Sequence, residues 1–176
     1  MTEPSIQINR APVLTLWATT VAERLGFDKE EALSLGKAVA GLTAQSKGRR
    51  LGIFTPAPQE IKKARARKRG EEFFVEICGR RVPAINTADG VRAVIKDKPV
   101  EPQGVERYLE SKFGESLDNV RTAMRDLAKA FRPEQLSQNS FRLYERFRPT
   151  IPEGVTGWGA KGTLDIERVR SLALEK

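Results

Sequence analysis

Leu14, Trp17, Val21 and Leu25 recur at the three- and four-residue spacing of one helical face, with Pro12 where a first turn tolerates it and Gly26 as a stop. The pattern predicts a helix over residues 12–25. Asp28 then offers an N-cap with Glu31 three positions later, opening a second helix that carries Ala32, Leu35, Val39 and Leu42 along one side. Only Gly26 and Phe27 separate the two, so residues 11–45 read as a helical hairpin. Within the second helix Gly36, Ala40 and Ala44 repeat every four residues, a seam along which another backbone can come close. Tight packing inside the chain is one use of such a seam, and a homo-oligomer contact is the other.

The period changes from helical to alternating at Phe73, Val75 and Ile77, which interleave with Phe74, Glu76 and Cys78. A two-residue turn at Gly79–Arg80, with glycine at its first central position, predicts a β-hairpin in which Cys78 opposes Arg81, Ile77 opposes Val82 and Val75 opposes Ala84. One face is then wholly apolar. Pro83 has no amide to donate, which puts its strand at an edge or turns the proline away from its partner, so a larger sheet is not expected. Residues 91–95 fit a short helix or a third strand equally well.

Helical spacing returns in the second half. Val105, Tyr108, Leu109 and Phe113 precede Gly114; Leu117, Val120, Met124, Leu127 and Phe131 follow a Ser116 cap; Leu136, Leu143, Tyr144 and Phe147 follow Pro133. Gly154, Gly157, Gly159 and Gly162 surround Trp158 in what reads as a loop, and Asp165 caps a last helix with Ile166, Val169 and Leu172. The expectation is an α+β fold, mainly α, in one domain over residues 1–176. It comprises the helical hairpin (11–45), a connector (46–70), the β-hairpin with a short further element (71–100), and a helical bundle (101–176) packed over the hairpin's apolar face.

Composition narrows the chemistry. With no histidine and a single cysteine among 176 residues, the chain cannot supply a Ser-His-Asp triad, a Cys-His pair, a histidine-bound metal or a disulfide framework of its own. Cys78, at the end of a strand-like run, reads as a small hydrophobe. Residues 41–48 approach a phosphate loop, but Ser46 replaces its second glycine and the stretch ends a helix instead of following a strand. The glycines around Trp158 lack the strand-glycine-helix context of a dinucleotide site. An enzyme using carboxylates, Tyr or Lys as acid and base stays open and ranks last among the readings, and no cofactor is expected. No apolar run approaches the length needed to span a bilayer and residues 1–10 lack a secretory signal pattern, so the expected location is the cytoplasm, away from membranes.

Charge changes the picture most. Residues 47–70 hold nine cations, Lys47, Arg49, Arg50, Lys62, Lys63, Arg65, Arg67, Lys68 and Arg69, against one acid, Glu60. That excess equals the whole formal net charge of +8, so the rest of the chain is balanced. Lysine and arginine alternating with alanine leave little to bury, and a polyanion relieves their mutual repulsion. The candidate nucleic-acid contacts are Lys62, Lys63, Arg65, Arg67, Lys68 and Arg69, joined by Arg49, Arg50 and, at the hairpin, Arg80 and Arg81. Arg121, Arg125 and Lys129 recur every four residues and add a basic helical stripe. The leading expectation is non-enzymatic binding to nucleic-acid phosphates. The alternative is a protein-protein or homo-oligomeric module using Gly36, Ala40 and Ala44.

Overall fold

A computed structural model describes residues 5–46, 72–151 and 161–175. In chain order these form β1 (Ser5–Asn9), α1 (Arg10–Leu25), α2 (Lys29–Ser46), β2 (Glu72–Ile77), β3 (Arg80–Thr87), β4 (Gly90–Ile95) and β5 (Lys98–Pro99). There follow α3 (Pro102–Phe113), a 3-10 turn (Gly114–Ser116), α4 (Leu117–Lys129), α5 (Pro133–Phe147), β6 (Lys161–Asp165) and α6 (Ile166–Glu175). The fold is α+β and mainly α.

Helix α1 is the centre of the molecule. Every residue from 12 to 22 is buried, because α2, α3, α4, α5 and β2 all touch it. A helix buried all round must satisfy its polar side chains locally. Thr15, Thr19 and Thr20 do so by donating to the carbonyls of Ala11, Thr15 and Leu16 at 2.8–2.9 Å. Trp17 donates its indole N–H to Ser140 O at 2.8 Å and meets Phe147 edge-on at 5.3 Å, which fixes α5 against α1. Gly26, at φ 118°, ends α1 as the pattern requires.

The Asp28 cap is reciprocal. Asp28 Oδ1 accepts from Glu31 N at 2.8 Å and Glu31 Oε1 accepts from Asp28 N at 3.0 Å. The small-residue seam is filled from within. A methyl at Gly36 would lie 2.8 Å from both Thr15 O and Thr19 N, so α1 already occupies the space a second copy would need. Ala40 is buried as well, while the Ala44 side chain lies outside the described set.

The hairpin turn is one residue earlier than the pattern predicts. Cys78 and Gly79 occupy it, both at positive φ (50° and 77°), as a type I′ turn requires. The pairs become Ile77 with Arg80, Val75 with Val82 and Phe73 with Ala84. Moving the turn by one shifts the register by two, so Phe73, Val75, Ile77, Val82 and Ala84 still share the buried face. Arg80 joins that face instead of capping the tip.

The sheet is also larger than expected, a four-stranded antiparallel meander in the order β2-β3-β4-β5. Residues 91–95 are strand, and Lys96–Asp97 makes a second turn with both residues at positive φ. Pro83 keeps its edge character even within a central strand. The β3–β4 ladder stops at Ala84–Ala93, and beyond it Pro83, Val94, Ile95 and Lys96 face Ala38, Gly41 and Leu42 across a cavity of about 170 Å³.

Two further expectations fail. Helices α1 and α2, more than the C-terminal half, cover the sheet, because α2 runs beside β4 and caps its open edge. Glu31 Oε2 accepts from Val91 N at 2.9 Å; Ser34 Oγ accepts from Ala93 N and donates to Val100 O, both at 2.8 Å. Ser116 caps nothing, since its backbone is helical and the 3-10 turn runs directly into α4. Finally, β1 pairs antiparallel with β6, Ser5 opposite Asp165, a ladder the sequence pattern does not reveal. Asp165 Oδ1 accepts from Glu167 N at 3.0 Å, which caps α6 as expected. Residues 47–71, including most of the basic connector, and Trp158 lie outside the described residues.

Candidate nucleic-acid interface

Of the ten candidate contacts, Arg49, Arg50, Lys62, Lys63, Arg65, Arg67, Lys68 and Arg69 fall outside the described residues. Arg80 and Arg81 are described, and the sheet sends them to opposite faces. Arg80 is only 8% exposed, donates from Nε to Thr43 Oγ1 at 3.2 Å and lies 5.7 Å from the Phe141 ring centre. Burial pulls its pKa below the ordinary arginine value. It ties the β2–β3 turn to α2 and α5, and is not presented to a ligand. Arg81 is exposed, with its guanidinium 4.5 Å from the ring centre of Phe74, a phenylalanine left 46% exposed on the outer face.

The helical stripe divides the same way. Arg121 is held by both oxygens of Glu106, at 2.8 and 3.3 Å, and so is spent inside the fold. Arg125 makes one looser contact, 3.5 Å to Glu23. Lys129, one turn on, is exposed. Arg125 and Lys129 border a cleft of about 440 Å³ that also includes Thr20, Glu23, Arg24 and Ala128. Arg24, at the end of α1, donates to Phe131 O at 2.9 Å, while its Nε has no partner among the described residues. Nothing in the local sequence marks Arg24; only the packing of α1 against α4 brings it to Lys129.

Other reactive groups are held inert. Burial pushes the Cys78 thiol up to about 12, against opposing pulls from Ser140 and Arg80, so it is a protonated thiol at neutral pH. The Tyr144 phenol is raised for the same first reason, and its hydroxyl is buried without a hydrogen-bond partner among the described residues. Lys37 sits 4.0 Å over the Tyr108 ring, its pKa lowered by burial first and by Lys112 second. Among the described residues no three acidic, cysteine or histidine side chains converge as metal ligands, and no helix is long and apolar enough to cross a membrane.

The geometry thus leaves an exposed Arg81–Phe74 pair and a cationic cleft between α1 and α4. Comparison of the chain with protein-family models, curated proteins and solved structures finds no match.

Proposed function

We propose that this protein binds nucleic acid without catalysing a reaction, holding backbone phosphates with Lys62, Lys63, Arg65, Arg67, Lys68 and Arg69, assisted by Arg49, Arg50 and Arg81. The observation that carries this reading is that the entire net charge of +8 is gathered between residues 47 and 70. The remainder supports it by contrast, since outside residues 47–70 the cations and acids are equal in number, and among them Arg121 pairs with Glu106, Arg92 with Glu30 and Arg170 with Glu167. Arg81 over the exposed Phe74 ring adds a cation beside an aromatic face, a combination that suits a phosphate and an adjoining base. Arg80 has no part in it, because it is committed to Thr43. Contacts to phosphates carry no sequence information, so no preferred site is expected.

A salt titration of binding to duplex DNA tests the reading. With about five phosphates neutralised, log affinity is expected to fall against log salt with a slope of about −4 to −5. Changing Lys62, Lys63, Arg65, Arg67, Lys68 and Arg69 to glutamine is expected to remove most of that slope. A flat response in the parent, or equal binding by both proteins, overturns the proposal.

A further inference from the structure

Three cations, Arg24, Arg125 and Lys129, meet one carboxylate, Glu23, in the cleft between the C-terminal ends of α1 and α4. Each helix end counts as roughly half a negative charge, which reduces the surplus from two positive charges to about one. A single negative charge is what a phosphodiester carries, whereas a phosphate monoester carries about −1.5 to −2. The described lining contains no aromatic ring and only Ala128 as an apolar residue, so it offers no aromatic platform for a base and its chemistry is that of N–H donors. Thr20 already donates its hydroxyl to Leu16 O. What remains among the described residues is a set of unspent N–H donors on two helices: Lys129 has no partner there, Arg24 uses one nitrogen on Phe131 O, and Arg125 makes a single contact at 3.5 Å.

We infer that this cleft seats one backbone phosphodiester of a bound nucleic acid, giving the folded scaffold a contact of its own besides the basic segment. The inference rests on the proposed nucleic-acid function for its source of phosphate, but the cleft can be tested separately. The placement supplies what the basic segment alone does not. Cations on α1 and α4 are held by helix packing, so a phosphate here is met by donors already in position.

The test titrates the full chain with dimethyl phosphate, a phosphodiester with no base, and follows backbone amide shifts by NMR. Saturable shifts are expected at Arg24, Ala128 and Lys129, and are expected to vanish in a chain carrying Arg125→Gln and Lys129→Gln. On duplex DNA the same double variant is expected to make the salt slope shallower by about one to two. Lys129→Gln alone, at an exposed position, is expected to give about half of that change with the fold intact.

No shift at the cleft overturns the inference, whatever the basic segment does. An equal response to acetate overturns the phosphodiester assignment in favour of any small anion. Shifts with dimethyl phosphate but an unchanged duplex slope overturn the nucleic-acid source. Failure of the proposed function itself shows differently, as absence of salt-dependent duplex binding by the parent chain.

Discussion

At the scale of single residues, parity along an element decides which side chains are available. Arg80 and Arg81 are neighbours of identical chemistry, yet one is buried against Thr43 and the other lies open beside Phe74. Composition cannot separate them; the turn at Cys78–Gly79 does, by setting which face each occupies. The glycines of α2 show the same dependence on place. A methyl on Gly36 would strike Thr19 Oγ1 and come within 2.8 Å of backbone atoms of Thr15 and Thr19, whereas one on Gly41 meets nothing within 4 Å. Gly36→Ala is therefore expected to destabilise the protein by about 1–3 kcal/mol despite alanine's better helix propensity. Gly41→Ala is expected to be neutral or to stabilise by up to about 1 kcal/mol. Urea unfolding of the two variants checks this, and equal effects would remove the argument that α1 fills the seam.

Elements become legible when their signals are local. The Asp28–Glu31 box, the stop at Gly26, Pro133 at the start of α5 and the Asp165 cap are all readable from spacing, because each involves partners within a few residues. The same carboxylate that closes the box has a second role no local pattern announces. Glu31 is 1% exposed and also caps the Val91 amide, 60 residues away, on the open edge of β4. Along that edge α2 supplies acceptors to Val91 and Ala93 where a further long strand is missing. Glu31→Ala orphans both Asp28 N and the buried Val91 N. It is expected to cost about 2–4 kcal/mol, the sum of a lost cap of about 1 and an unsatisfied buried donor of about 1–3. Asp28→Ala loses the cap alone and is expected to cost about 1 kcal/mol. If chemical denaturation gave the two variants equal stabilities, the contact at Val91 would contribute nothing.

Over the whole molecule, what is concentrated in sequence can be read from it and what is assembled by folding cannot. The charge excess between residues 47 and 70 needs only counting, whereas the cleft exists because Arg24 reaches Phe131, 107 positions along the chain, and so meets Lys129. Long-range assembly also accounts for the unforeseen ladder of β1 with β6, which joins the two ends of the described chain through Ile6–Leu164 and Ile8–Gly162. Gln7 Nε2 adds a bond to Thr163 Oγ1 at 2.8 Å, and Ile8 is buried. Since β6 runs directly into α6, and α6 packs on α4, β1 clamps the C-terminal helix to the core. Deleting residues 1–9 removes about 2–3 kcal/mol of buried side chain, which for a chain of this size lowers Tm by about 5–10 °C. Hydrogen exchange is expected to show amides in β6 and α6 losing protection ahead of those in α1 and α2, because α1 keeps its contacts with α2, α3 and α5. Uniform loss across all helices would instead make β1 part of a single cooperative unit, and its role as a local clamp would fall.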